Sequence, residues 1–471
     1  MSERQSSFDV IVIGAGQAGP PLAAKLATAG RRVALLESRE LGGTCVNWGC
    51  TPTKTLRKSA RVAYMVQQAP RFGVHAGEVR VDFAAAMRRM QDRVEQSRAG
   101  LKRWLDGIEG LKVMEGRGRL AGCSGKAYVV MVDGRRLTAP RILLNTGTRP
   151  RIPDIPGLAA VDYLDNETLL ALRDRPEHLL IIGGSYIGLE MAQIFRRLGS
   201  SVSVIDGGER LASREDKDIS EALASLMKAE GISVHLGCEI EGAEAHAGGV
   251  QLRLAGGAAP QGSHLLVATG RTPNTDALGL ETLDTKIEMD DHGYITTNAQ
   301  LETSAPGIWA LGDINGRGAF THTSYHDHDI VAENILGNPD APRSAEARHA
   351  IYAMFTDPPL GHVGLYEADA RQLVRQGRSI SLAVIEMEEV SRAKEEGETF
   401  GRLKLLIDEQ SGKFLGATML GIGADEIIQV IGQAMSAGTH WRIVRNALPV
   451  HPTVTEFLPT LIDKRKPLSG D

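Results

Sequence analysis

Cys45 and Cys50 are two of only four cysteines in the 471 residues, and four residues separate them. They stand in the run Gly42-Gly43-Thr44-Cys45-Val46-Asn47-Trp48-Gly49-Cys50-Thr51-Pro52-Thr53-Lys54. Two thiols this close can join if the backbone between them turns sharply, and Asn47 and Gly49 both tolerate such turning. Pro52 is a good first helical residue, and helix-forming sequence continues toward Gln68. Cys50 is then expected at a helix N-terminus, where the backbone dipole favours a thiolate. A low-pKa thiol with a partner in reach is a redox couple. On spacing alone, a structural disulfide or two buried thiols fit as well. A second constellation lies near the C-terminus, in His451-Pro452-Thr453-Val454-Thr455-Glu456. A lone histidine is more often structural than catalytic. Here Pro452 can start a helix that returns Glu456 to the imidazole, an orienting pair of acid–base type.

The elements that must position these groups are legible as two copies of one pattern. Phe8–Ile13 is a short apolar run, typical of a buried parallel strand, and Gly14-Ala15-Gly16-Gln17-Ala18-Gly19 follows at once. A helix to about Ala29 comes next, then the strand Arg32–Glu37 with an acid at its end. Strand, glycine turn, helix, strand and acid form the Rossmann dinucleotide signature. Its glycines admit a pyrophosphate to the helix N-terminus, and its carboxylate takes ribose hydroxyls. The pattern recurs as Leu179–Ile182, Gly183-Gly184-Ser185-Tyr186-Ile187-Gly188, a helix, and Val202–Asp206. The acid follows the first glycine by 23 residues in each copy, so two dinucleotides are expected. Ser185 replaces the middle glycine of the second copy. Asp206 favours an unphosphorylated ribose and hence NADH, while Arg210 and Arg214 keep NADPH open.

Thr146-Gly147 and Thr269-Gly270 are matching turns after each unit, and Gly312-Asp313 ends a third strand. Asp313 can hold a phosphate-linked hydroxyl or cap a helix. A helix is expected from about Tyr325 to Leu336. The segment 79–105 reads as an amphipathic helix with Met87, Met90, Val94 and Leu101 on one face. From 350 onward, strands such as 402–407 alternate with helices such as 425–437, without a glycine nucleotide turn. The fold class is therefore α/β, with two Rossmann-like units and a C-terminal α+β module. The expected division is 1–152 and 273–344 for the first nucleotide domain, 153–272 for the second, and 345–471 for the C-terminal module.

Composition excludes several classes. A formal net charge of −5 gives no footing for nucleic acid. Cys123 and Cys238 are isolated in sequence, so no secreted-type disulfide framework is expected. No apolar stretch reads as a signal peptide or membrane span, and the chain is expected in the cytoplasm. No residue set reads as a metal site.

Taken in order, the glycine turn at 14–19, Cys-x4-Cys, the second turn at 183–188, Gly312-Asp313 and His-Pro-Thr-x-x-Glu resemble the two-cysteine pyridine nucleotide-disulfide oxidoreductases. That family includes dihydrolipoamide dehydrogenase, glutathione reductase and mercuric reductase. The resemblance implies FAD on the first unit, near Gly14, Gly16, Gly19, Glu37, Gly43, Thr44, Lys54, Thr146, Gly147 and Asp313. It implies NADH or NADPH on the second, near Gly183, Ser185, Tyr186, Gly188, Asp206 and Gly270, with Tyr186 gating the nicotinamide. Lys54 is expected to pair with Glu190 beside the flavin. Cys50 is expected as the flavin-facing thiolate and Cys45 as the outer thiol that meets a disulfide acceptor. A homodimer is implied, with His451, oriented by Glu456, reaching the other subunit's cysteines. The runs 320–325 and 355–361 resemble the mercuric-reductase-like branch. That branch uses a cysteine pair near its C-terminus, yet no cysteine follows Cys238. Alternative roles are reduction of a metal ion, quinone or oxidant, a place in a 2-oxoacid dehydrogenase complex, and a redox sensor.

Overall fold

The computed structural model describes residues 6–337 and 340–470. The first unit is a five-stranded parallel sheet in the order Ile308–Ala310, Ile142–Leu144, Val10–Ile13, Val33–Glu37, Leu111–Glu115. The run Val10-Ile11-Val12-Ile13 is central and buried throughout, which is why it is apolar on both faces. Ile11 pairs with Ile142 and Ile142 with Ile308, so the sheet joins sequence from both sides of the second unit. Helix α1, Gly19–Thr28, leaves directly from the glycine turn and packs its leucines and alanines beneath the sheet.

The second unit repeats the arrangement, in the order Tyr163–Leu164, His264–Val267, His178–Ile182, Ser201–Ile205, Ser233–His235, all parallel. The C-terminal module is a six-stranded antiparallel sheet that runs from Ile351–Met354 at one edge to Lys466–Pro467 at the other. Its core forms where the helix Ala424–Ser436 covers one face.

Several sequence expectations shift in detail. Helix α2, Gly43–Asn47, holds Cys45, and helix α3, Cys50–Gln68, begins at Cys50 itself, so Pro52 is its third residue and not its first. The left-handed residues of this region are Gly42 and Gly43, at φ 94° and 59°, and not Asn47 or Gly49. Gly49 is required for a different reason: a Cβ there would stand 2.9 Å from the Thr44 carbonyl oxygen. Asn47 uses its side-chain amide to bind the carbonyls of Leu41 and Gly43 at 3.0 and 2.9 Å, which staples the loop. Helix α4, Phe83–Asp106, is capped by Asp82, whose carboxylate accepts from Ala85 N at 2.8 Å. Met87, Met90 and Val94 are buried against Leu56 and Ala60 of α3, so this helix braces the cysteine-bearing one.

Charged side chains bind the three units. Arg197 is 4% exposed and pairs with Glu230 at 2.7 Å and with Asp357, which Arg61 also meets. Lys404, equally buried, reaches Asp216, Asp218 and Glu367 at 2.8–2.9 Å. Buried charges persist only when paired like this, and removing one partner costs about 3–5 kcal/mol.

Candidate active site

One cavity of about 990 Å³ gathers most of the residues singled out above. Gly14, Gly16, Glu37, Gly43, Thr44, Cys45, Cys50, Lys54, Thr146, Gly147, Tyr186, Glu190 and Asp313 all line it. Its floor is the first glycine turn. Gly14 has φ 105°, and a Cβ there would collide with the Asn145 carbonyl; a Cβ on Gly19 would collide with that of Gly14. A Cβ on Gly43 would lie 2.8 Å from the Gly16 Cα. Only bare backbone fits this cradle, at the N-terminus of α1. That is the shape and polarity a pyrophosphate needs.

Glu37 accepts from Ala15 N at 2.7 Å and Arg39 N at 2.8 Å, which holds the turn open at the ribose end. In the second unit Asp206 does the same, accepting from Gly184 N at 2.5 Å and Gly208 N at 2.7 Å. The equal 23-residue offset thus corresponds to the same contact made twice. Helix α5, Asn166–Leu169, precedes the second glycine turn, and α6, Tyr186–Arg197, leaves from it. Gly188 packs so tightly on the Gly183 carbonyl that no side chain fits. Ser185 stands at the N-cap of α6 without a side-chain capping bond. Gly270, at φ 112°, turns beside Arg151. Arg210 is directed to the Ser213 carbonyl at 3.4 Å.

Cys45 and Cys50 line the same cavity, close enough for each thiol to bear on the other's protonation. Cys50 opens onto the cavity while protein surrounds it on most sides. Its thiol is pulled well below the usual range, first by the hydrogen bond from Cys45, then by Thr321 and the charge of Lys54, against burial and Glu190. Cys45 is driven the opposite way by that same contact with Cys50 and by burial. The two shifts run in opposite directions, favouring charge on Cys50 and the proton on Cys45.

Lys54 lies one helical turn beyond Cys50 on α3. Its ammonium is 2.6 Å from Glu190 Oε2, and the Glu190 side chain is 5% exposed. The other oxygen, Oε1, accepts from Phe355 N at 2.8 Å, and the Phe355 ring lies 4.6 Å from the ammonium. Lys54 is thus held in place by the second unit and the C-terminal module together. Asp313 is buried, which pushes its carboxyl up against the opposing pull of Arg271 and Thr148. The Tyr186 phenol is pushed up to about 12 by burial, and its ring tilts against Phe320 at 5.9 Å.

His451 and Glu456 are joined, Nδ1 to Oε2, at 2.9 Å. The geometry differs from the expected helix. Pro452 follows a cis peptide bond, and a single 3-10 turn, Thr455–Phe457, brings the carboxylate back. The pair does not line the cavity of its own chain. His451 is 75% exposed, and Leu448 and Val450 beside it are 98% and 75% exposed.

Sequence reasoning gave no role to Thr321, Asn145 or Tyr352, all of which line the cavity. Helix α7, Lys217–Ala229, belongs to the second unit, and helix α8 runs Thr321–Leu336, four residues longer at its start than expected. Asn145 Nδ2 donates to the Gly14 carbonyl at 3.2 Å, and its position just before the Thr146-Gly147 turn was the available signal. Tyr352 donates to Glu215, whose carboxyl burial pushes up to about 7.

A glycine cradle and a cysteine pair lining one cavity, with a second glycine cradle of the same design on the neighbouring unit, are the features of a pyridine nucleotide-disulfide oxidoreductase by class. The comparisons agree: residues 8–327 match the pyridine nucleotide-disulphide oxidoreductase model, and residues 351–462 match that family's dimerisation domain. The chain belongs to this family, which uses FAD and NAD(P)H. It is 32% identical to a probable pyridine nucleotide-disulfide oxidoreductase, RclA, of Escherichia coli (strain K12), covering 97% of this chain and 99% of that one. It is 35% identical to a mercuric reductase of Streptomyces lividans over 93% and 92% of the two chains. With a dihydrolipoyl dehydrogenase of Chlorobaculum tepidum the figures are 34%, 96% and 95%. Among solved structures, the Cu(II) complex of the HOCl-induced flavoprotein disulfide reductase RclA from E. coli aligns with a TM-score of 0.87 at 31% identity, covering 97% of this chain and 99% of that one. Among the described residues, no helix is long and apolar enough to cross a membrane.

Proposed function

We propose that this chain is an FAD-dependent NAD(P)H:disulfide oxidoreductase acting on a small thiol or disulfide acceptor. In this reading 1–152 and 273–344 hold FAD, 153–272 holds the nicotinamide nucleotide, and 345–471 pairs two identical subunits. The observation that carries it is the shared cavity, which the first glycine cradle, Cys45, Cys50 and the Lys54–Glu190 pair all line. Bound FAD would supply the two-electron step between NAD(P)H and the cysteine pair.

The chain's own groups do the rest. Cys45 keeps its proton, so a base must remove it before the sulfur can attack. His451 of the partner subunit takes that proton. The exposed apolar flank of Leu448 and Val450 favours burial of this segment between subunits. The Cys45 thiolate attacks the acceptor disulfide, and the first leaving sulfur takes the proton from His451 of the partner subunit. Cys50 then attacks Cys45, closes the Cys45–Cys50 disulfide and releases the second thiolate. One acceptor disulfide becomes a thiol and a thiolate, the latter taking its proton from water, as the two cysteines become one disulfide. Lys54 supplies positive charge where reduction would build negative charge.

NADH is the favoured donor, because Asp206 would oppose a 2′-phosphate and Arg210 is turned to its own loop. A second reading, cupric ion as acceptor, is favoured by the 31% identical relative solved as a Cu(II) complex. Both are tested by steady-state turnover of the yellow holoenzyme with NADH or NADPH against lipoamide, glutathione disulfide, cupric and mercuric ions. The proposal expects NADH to outperform NADPH and a disulfide to turn over fastest. Turnover of metal ions alone would favour the second reading, and a strong NADPH preference would contradict the role of Asp206.

A further inference from the structure

Two helices begin at one sulfur. Cys50 opens α3, and Thr321, which opens α8, places its hydroxyl 3.2 Å from Cys50 Sγ across a separation of 271 residues. A thiolate has no proton to give, so once Cys50 is charged the hydroxyl must be the donor. Thr321 is held there by its neighbours. The Phe320 ring stacks on His322 at 5.6 Å and on Tyr352 at 5.3 Å, and His322 Nε2 is 2.6 Å from the Ile351 carbonyl. The C-terminal sheet thereby fixes the donor.

We propose that Thr321 is the hydrogen-bond donor that keeps Cys50 a thiolate during the one step in which Cys45 cannot. This rests on the proposed disulfide chemistry. In the resting dithiol, the neighbouring Cys45 thiol from α2 is the largest influence favouring charge on Cys50. When Cys45 has attacked the acceptor, its sulfur is bonded to the acceptor sulfur and carries no proton. Cys50 must now attack as a thiolate, with its principal donor gone. The groups that still face it are Lys54 from α3, which favours the charge, Glu190 and Tyr186 from α6, of which Glu190 opposes it, and Thr321 from α8. Thiolate is lost as pH falls through the Cys50 pKa, and removing a donor moves that loss to higher pH.

The test uses holoenzyme carrying Cys45→Ala, which reproduces the missing Cys45 proton. The rate of Cys50 carbamidomethylation by iodoacetamide is followed against pH by peptide mass spectrometry. Adding Thr321→Val is expected to raise the midpoint by about one pH unit, about a tenfold loss of thiolate below it, and Thr321→Ser to restore it. Flavin content reports folding of each variant. A midpoint unmoved by Thr321→Val overturns the inference, as does one that moves equally in Thr321→Ser. The parent reading fails separately if wild-type holoenzyme shows no long-wavelength thiolate–flavin absorption on two-electron reduction.

Discussion

Replacing Cys50 with serine is expected to lower acceptor turnover by at least about 10³-fold, measured by nucleotide oxidation with the preferred acceptor. A serine oxygen cannot be oxidised to a bond with Cys45, so the chain loses its only dithiol at the cavity. The glycine cradle and Asp313 lie on other segments, so the variant should still purify yellow. The long-wavelength absorption seen on two-electron reduction should vanish with the thiolate that produces it. Cys45→Ser behaves differently: it also loses turnover but keeps the band. Because the Cys45 proton is the largest influence lowering Cys50, that band should fade at a higher pH in Cys45→Ala, which has no proton to donate, than in wild type. An unchanged band in Cys50→Ser would mean that the two sulfurs have been assigned in the wrong order.

The second large effect belongs to His451. Its Nδ1 is engaged by Glu456 at 2.9 Å, which fixes the ring and leaves Nε2 free to face outward. Glu456 is 14% exposed, so the carboxylate is well placed to hold that orientation. His451→Ala should lower acceptor turnover about 10²–10⁴-fold, the range for loss of a positioned acid–base group. Flavin bleaching by NADH in single turnover should stay fast, since the acid–base group is assigned to the thiols and not to the nucleotide. Equal slowing of both half-reactions would remove the acid–base assignment.

Much of this site was legible in the sequence because its chemistry is local. The glycine turns, their acids 23 residues on, and the spacing of Cys45, Cys50 and Lys54 each depend on neighbours along one strand or one helical turn. Val10–Ile13 could be read as a central strand because burial on both faces demands an unbroken apolar run. What was not legible depends on distant segments meeting. Thr321 meets Cys50 across 271 residues, and Phe355 N meets Glu190 across 165, with no periodicity to announce either. The Cys45–Cys50 turn was misplaced onto Asn47 and Gly49 because turn propensity is a property of residue type. The left-handed positions lie instead ahead of Cys45, where Gly42 and Gly43 bring the chain against Gly16. Pro452 likewise suggested a helix, but Glu456 returns through a 3-10 turn after a cis bond.

The most direct test is a thiol count at Cys45 and Cys50. Air-oxidised, flavin-loaded protein would be made anaerobic, given one equivalent of NADH without acceptor, quenched with an alkylating agent and read by peptide mass spectrometry. The account predicts that both residues go from unlabelled to labelled, while Cys123 and Cys238 do not change. If NADH is consumed and the flavin responds while Cys45 and Cys50 keep their original labelling, electrons do not reach this pair, and the account is wrong.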